Sequence, residues 1–290
     1  MRIAYDRKLA ELLADCCLRA YRQYDTGYVT PPPGYAVVAE FKGSFTPLNL
    51  LLARLNHWSL RWLRWLLLPL IWLLDASGLF RKSFGFALAS RKGDHYIIAF
   101  RGTQNLDDWF IDADAFQAGL SRRLRGDART LDETRVHQGF QLLAVSLSRK
   151  VYEAAKGFKP KVPVYVTGHS LGGAVATLTA LMLKARVKRP DVCMYSYAAP
   201  RVGDPSFASA YDVLLPASYR VVNLADVVPL VPPREFKGWH YADLGKEWAF
   251  LNQSGDVVGN HGIDAKNNYI SACQKRVPSD KRRKYPITAL

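Results

Sequence analysis

Short β-branched apolar runs alternate with longer stretches of mixed polarity along most of the chain. Residues 5–24 place apolar positions at helical spacing among charged ones and predict an amphipathic helix. Strands are predicted near 84–89, 95–100, 162–167, 192–197 and 219–223, with helical stretches between several of them. Such alternation builds a mostly parallel central sheet with helices on both faces, an α/β fold. The two strands before Arg101 are close enough in sequence to pair as an antiparallel hairpin. With 290 residues, 49% hydrophobic content and no linker, repeat or low-complexity tract, the chain reads as one domain over 1–290.

Residues 34–83 break this rhythm and read as a hydrophobic helical insertion. On a helical wheel of 51–68, Arg54, His57, Arg61 and Arg64 fall on one stripe, Trp58, Trp62 and Trp65 flank it, and leucines fill the remainder. Tryptophan rings favour a headgroup boundary, arginines snorkel to phosphates and a leucine face enters the acyl region, so the pattern suits a membrane interface. A buried helical hairpin packed on the core is the competing reading. The longest uninterrupted apolar run, 65–74, falls short of the roughly 20 residues a bilayer-spanning helix needs, and Pro69 kinks it.

The most informative local pattern is the run Val164-Tyr165-Val166-Thr167-Gly168-His169-Ser170-Leu171-Gly172-Gly173-Ala174. It joins a bounded apolar strand, a glycine-flanked serine and a small, apolar helix start. A strand that turns sharply into a helix crowds the backbone on both sides of the serine, which the glycines accommodate. Ser170 is thereby the candidate nucleophile. The amide of Leu171 lies at a helix N-terminus, where an unpaired N–H and the helix dipole meet a developing oxyanion.

A serine hydroxyl needs a base to take its proton and a carboxylate to fix that base's tautomer. Behind an elbow of this kind they follow in the order acid, then histidine. Residues 218–229 form a β-rich run that delivers Asp226 at its end, so Asp226 is the preferred acid. Asp212 falls in a helix, Asp243 in a later turn and Asp256 in a Gly-rich turn, and each reads as a solvated carboxylate. Of the later histidines, His261 sits in a flexible loop before a helical stretch. His240, flanked by aromatics in a short strand, reads as a packed, hydrogen-bonded residue. His261 is the preferred base, and His137 precedes the serine and fails the order. The second oxyanion donor belongs on the loop after an early strand, where Arg101-Gly102-Thr103 stands and Thr103 offers both an N–H and a hydroxyl.

From Phe84 onward the chain resembles the class 3, fungal-type lipases of the α/β-hydrolase fold. The resemblance rests on Ala99-Phe100-Arg101-Gly102-Thr103 with Asp108-Trp109 and Asp112 beyond it, on Val136-His137-Gln138-Gly139-Phe140, and on Gly168-His169-Ser170-Leu171-Gly172-Gly173. It continues through Ala198-Ala199-Pro200-Arg201-Val202-Gly203 and Asn223-Leu224-Ala225-Asp226-Val227-Val228-Pro229 to a final histidine before a helix. It implies a Ser170, Asp226, His261 triad, an oxyanion hole from Thr103 and Leu171, and an Asp112 that orients Thr103. It makes His240 a non-catalytic histidine. The implied activity is hydrolysis of lipid carboxylic esters, as a triacylglycerol lipase or carboxylesterase, through an acyl-enzyme. Phospholipase A1 action is a close variant, and a non-catalytic membrane-binding module on the same fold is the alternative of a different class. Relatives carry an apolar cover after the oxyanion residue, but the corresponding stretch 106–116 is rich in acids here. Residues 34–83 are therefore the candidate lid or docking surface.

The formal net charge of +15 gathers in Arg122-Arg123-Leu124-Arg125, in 149–161, in 184–189 and in a basic tail over 276–290. No nucleic-acid-binding motif or stacking platform accompanies it, so nucleic acid is not expected, and anionic lipid headgroups fit better. The reaction needs no metal or organic cofactor. Cys16, Cys17, Cys193 and Cys273 form no disulfide framework, and the charged residues near the N-terminus do not read as a secretory signal. The expected setting is cytoplasmic, with peripheral contact to an anionic membrane surface.

Overall fold

A computed structural model describes residues 5–43, 82–103, 116–263 and 268–274. Helix α1 (Arg7–Thr26) starts where the Asp6 carboxylate accepts the N–H groups of Lys8 at 2.8 Å and Leu9 at 3.1 Å, and it ends at Gly27 in the left-handed conformation. Strands β1 (Tyr35–Gly43), β2 (Lys82–Ser90) and β3 (Tyr96–Phe100) follow. Next come β4 (Gln117–Gly119), the short helix α2 (Arg122–Arg125), β5 (Arg135–His137) and α3 (Gln138–Lys156). The centre of the fold is β6 (Val164–His169), α4 (Leu171–Ala185) and β7 (Val192–Tyr197). It continues with α5 (Pro205–Leu214), β8 (Ser218–Asn223), the two-residue strands β9 (Glu235–Phe236) and β10 (Trp239–His240), β11 (Lys246–Phe250), α6 (Val257–His261) and α7 (Tyr269–Gln274).

Among the described residues a seven-stranded sheet runs in the order β1-β2-β3-β6-β7-β8-β11. The pairs β3-β6, β6-β7, β7-β8 and β8-β11 are parallel, and β1-β2 and β2-β3 are antiparallel. The sheet is thus mostly parallel, with the antiparallel hairpin before Arg101 that the spacing predicts. The period-2 alternation of a strand sends neighbouring side chains to opposite faces. In β3, Tyr96, Ile98 and Phe100 join α3 and α4 in one core, whereas Ile97 and Ala99 join α1 and α7 in the other. In β7, Val192 and Met194 face the first core and Cys193, Tyr195 and Tyr197 the second. Such strands are buried on both faces and read in sequence as unbroken apolar runs.

The predicted helical insertion over 34–83 is corrected at both ends. Residues 35–43 form β1, paired antiparallel with β2, and residues 82–83 begin β2. The physical reason lies in Val37, Val38 and Phe41, β-branched and aromatic residues that suit a half-buried edge strand. Residues 44–81, with the Trp/Arg/Leu pattern of 51–68, lie outside the described residues, as do Asp112 and the basic tail. Among the described residues no helix is long and apolar enough to cross a membrane. Strand β11 was not predicted. It sits at the sheet edge with one neighbour and stays half exposed, so no apolar run marks it.

Candidate active site

Ser170 stands between β6 and α4, with φ 57° and ψ −131°. A positive φ is costly for a non-glycine residue, and the surroundings hold it there. The Ser170 N–H donates to the carbonyl of Tyr197 at 2.9 Å, and its own carbonyl accepts from the Gly173 N–H at 2.8 Å. The turn is so tight that a Cβ at position 168 would collide with the Gly172 carbonyl. Leu171, buried, opens α4, where first-turn N–H groups have no acceptor within the helix.

Asp226 follows β8 in a turn closed by its N–H donating to the Asn223 carbonyl at 2.9 Å. The carboxylate is buried and fully engaged. Its Oδ1 accepts the Val228 N–H at 2.9 Å, and its Oδ2 accepts from His261 Nδ1 at 2.9 Å and from the Tyr269 hydroxyl at 2.6 Å. Burial, then the adjacent Asp226 charge, raises the Tyr269 pKa well above its ordinary value, so the phenol stays a donor. A carboxylate only accepts, so His261 carries its proton on Nδ1 and presents a lone pair on Nε2. Among the described residues, the buried His261 Nε2 and the buried Ser170 Oγ are each without a hydrogen-bond partner. They are the two atoms that exchange a proton in a serine hydrolase, and such contacts tighten when substrate binds.

Asn223 joins the acid loop to the base loop. Its Nδ2 donates to the carbonyls of Asn252 at 2.8 Å and Asn260 at 3.0 Å, and its Oδ1 accepts the N–H of Asn252 at 3.0 Å. Asn268 reaches the Gly259 carbonyl from the other side. His261 therefore sits at the end of the short helix α6, capped by Asp256, and not in the flexible loop predicted for it. Tyr269 carries no sequence signal for this work, since only the packing of α7 against β8 brings it to Asp226, and Asn223, three residues before the acid, reaches Asn252 and Asn260 only through the fold.

On the oxyanion side Thr103 lies directly after Arg101 and Gly102 beyond β3, and Gly102 packs against the elbow. Arg101 is buried between the rings of Tyr24 and Phe84, at 4.1 and 4.6 Å, and donates to the carbonyls of Ser83 at 2.7 Å and Gly102 at 2.6 Å. This anchors the loop from below. Its predicted partner Asp112 lies outside the described residues.

The rejected candidates separate cleanly from this site. His240 is in a short strand as predicted, but it is not packed: its side chain is 63% exposed, with Glu235 at 3.9 Å. Asp212 caps the Gly245 N–H at 2.7 Å, and Asp256 caps α6. Asp243 is no solvated lone carboxylate. It binds Arg201 at 3.0 Å, Arg220 at 2.9 Å and Arg234 at 2.8 Å, while Arg201 also holds the carbonyls of Leu230 and Pro232 and so braces the chain just after the acid. His137 caps α3 by accepting the N–H groups of Gly139 and Phe140.

A family model described as lipase (class 3) matches residues 97–236, the span from β3 to β9. The chain is 34% identical to a lipase of Rhizomucor miehei over 175 residues, covering 56% of this chain and 43% of that protein. It is 28% identical to phospholipase A1-IIgamma of Arabidopsis thaliana over 223 residues, covering 66% of this chain and 51% of that one. It spans about half the length of these curated relatives. Among solved structures, the native Rhizomucor miehei lipase propeptide complex superposes with a TM-score of 0.50 at 28% identity, over 59% of this chain and 53% of that one. The lipase of Rhizopus microsporus var. chinensis gives 0.61 at 23% identity over 84% and 73%, a likeness of fold alone. The chain has the α/β-hydrolase fold, and its residues 97–236 match the class 3 lipase family.

Proposed function

We propose that this chain hydrolyses carboxylic esters of lipids through an acyl-enzyme on Ser170. His261 Nε2 takes the hydroxyl proton as Ser170 Oγ forms a bond to the acyl carbonyl carbon. The oxyanion is held by the N–H groups of Thr103 and Leu171, and the imidazolium by Asp226. The tetrahedral species collapses, the C–O bond to the alcohol breaks, and His261 returns the proton to that alcohol. Water then repeats the sequence and releases the fatty acid. The observation that carries the reading is the buried Asp226–His261 pair at 2.9 Å, whose outer nitrogen, like the Ser170 hydroxyl, has no hydrogen-bond partner among the described residues.

A lipid substrate is supported by the rim. Leu224, Val227 and Leu230 on the acid loop, and Leu251, Val257 and Val258 on the base segment, are exposed apolar side chains around the two catalytic loops. Acyl chains find complementary surface there, whereas a small soluble ester has no use for it. Phospholipase A1 action is the second reading, favoured by the net charge of +15 and by the likeness to the Arabidopsis phospholipase. Peripheral contact with an anionic membrane in a cytoplasmic setting, with the part of 34–83 outside strands β1 and β2 as lid or docking surface, belongs to the same proposal. The buried thiols of Cys16, Cys17, Cys193 and Cys273 support a reducing compartment.

The test is hydrolysis of p-nitrophenyl esters of graded chain length, with anionic or neutral vesicles present or absent. Ser170→Ala should lose roughly 10⁴-fold or more in kcat. A Ser170→Ala protein that turns over like wild type sinks the mechanism. A wild type that binds vesicles, hydrolyses nothing and ignores a fluorophosphonate probe points instead to the non-catalytic membrane module.

A further inference from the structure

His169, the residue before the nucleophile, is buried against His261 with ring centroids 4.6 Å apart, yet takes no part in the Ser170–His261–Asp226 arrangement. Its Nε2 lies 2.8 Å from the main-chain oxygen of His261, and its Nδ1 lies 2.9 Å from the Tyr21 hydroxyl. A carbonyl only accepts, so Nε2 carries the hydrogen. In a neutral ring Nδ1 is then the acceptor, and Tyr21 donates to it. Burial first, and the neighbouring His261 second, hold the His169 pKa well below that of an ordinary imidazole, so the neutral ring is the resident form. The Tyr21 hydroxyl oxygen in turn lies directly against Gly102, where an added Cβ would collide with it. Three residues from distant parts of the chain thus form one directional series, in which Tyr21 donates to His169 and His169 to the carbonyl of His261, with Gly102 packed against its Tyr21 end.

Each end of that series lands on reacting machinery. Gly102 precedes Thr103, and a Cβ added to it would stand 2.8 Å from the Ser170 Cβ and 2.9 Å from the His169 carbonyl oxygen. The oxyanion loop, the elbow and Tyr21 therefore meet with no space between them. At the other end, the bond to the His261 main chain fixes the base from behind while Asp226 orients its ring. His169 is also well suited to its place because it is neutral: a second cation against the ring that becomes imidazolium would oppose that protonation.

We propose that Tyr21 and His169 are positioning residues that hold the oxyanion loop at Gly102 and the base His261 in fixed relation to each other across Ser170. This rests on the reading of Ser170 as nucleophile and His261 as base. The competing account is that both are ordinary buried polar residues that stabilise the core without tuning the reaction.

The full chain with His169→Leu, His169→Gln or Tyr21→Phe separates the two accounts through kcat, KM and thermal midpoint, using one p-nitrophenyl ester. Misplacement of a reacting group by about 1 Å costs on the order of 100-fold, so His169→Leu should lower kcat by about that factor with KM within about twofold. Glutamine keeps an N–H near the position of Nε2 and should recover most of the loss. Tyr21→Phe, which removes one oxygen, should lower kcat by roughly tenfold at an unchanged midpoint. A folded His169→Leu or Tyr21→Phe protein with wild-type kcat overturns the proposal, as does a glutamine variant no better than leucine. If His169→Leu fails to fold, Tyr21→Phe decides alone. If the wild type itself shows no Ser170-dependent turnover, the parent reading has failed and this inference falls with it. Normal wild-type turnover with unaffected variants removes only the inference.

Discussion

The two sides of the site are built by different physics. At the elbow, position is enforced by backbone crowding: Ser170 is held at φ 57°, Gly168 leaves no room for a Cβ beside Gly172, and Gly102 touches Ser170 and His169. On the acid and base side, position is enforced by buried side-chain hydrogen bonds. Asp226 accepts from Val228, His261 and Tyr269, and Asn223 stitches the two loops together. A steric site tolerates almost no added volume, whereas a hydrogen-bonded site tolerates volume-neutral changes in proportion to the bonds lost.

That contrast is open to direct attack. The largest effect is expected from Asp226→Asn, which keeps the shape but no longer enforces the His261 tautomer; kcat should fall by about 10⁴-fold in a folded protein, read as the rate of the acylation burst. A drop of less than tenfold would mean that Asp226 is structural only. Gly168→Ala should cost at least about 3 kcal/mol of stability, because the new Cβ meets backbone and not a movable side chain. Its denaturant midpoint checks this, and a near-native midpoint would show that the elbow is looser than its contacts imply.

A third expectation concerns neither side. His137 caps α3 as a neutral ring, and burial pushes its pKa down to about 4. Because the folded value lies below the unfolded one of roughly 6.5, this contribution is intact above about pH 6.5 and is lost progressively as pH falls toward 4, amounting to about 3 kcal/mol. Stability curves should steepen over that window, and His137→Asn, a residue that also caps helices, should flatten them. A wild-type stability that does not change from pH 6.5 to 4 would overturn the assignment. The smallest effect is expected for Tyr269→Phe, which removes one of the three bonds to Asp226. A bond to a buried charge contributes about 1.5–3 kcal/mol, so kcat should fall about tenfold with the fold retained. A loss as large as that of Asp226→Asn would erase the proposed gradation within the hydrogen-bonded side.

The elbow was legible because steric crowding leaves a local mark: glycines at fixed offsets around Ser170 after an apolar strand. Asp226 and His261 were legible through chain order and the end of a β-rich run, and the structure brings them together at 2.9 Å. Tyr269, Asn223, Asn268, Tyr21 and His169 were not selected as site partners, because their roles depend on partners up to 148 residues away, as for Tyr21 and His169. His240 and Asp243 show the converse. Their local settings suggested a packed histidine and a solvated acid, and tertiary contacts left one exposed and engaged the other with arginines.

Sequence by itself determined the alternating α/β order, the strand-to-helix turn at Ser170 and the residue types able to serve it, since periodicity, turn chemistry and nucleophile chemistry are local or ordered along the chain. Tertiary structure decided that residues 35–43 pair as a strand at the sheet edge, which tautomer His261 holds, and which buried groups fix the acid and the base. The reason is physical: hydrogen-bond partners of a buried group are set by how distant elements pack, and that packing leaves no period and no spacing in the chain that produces it.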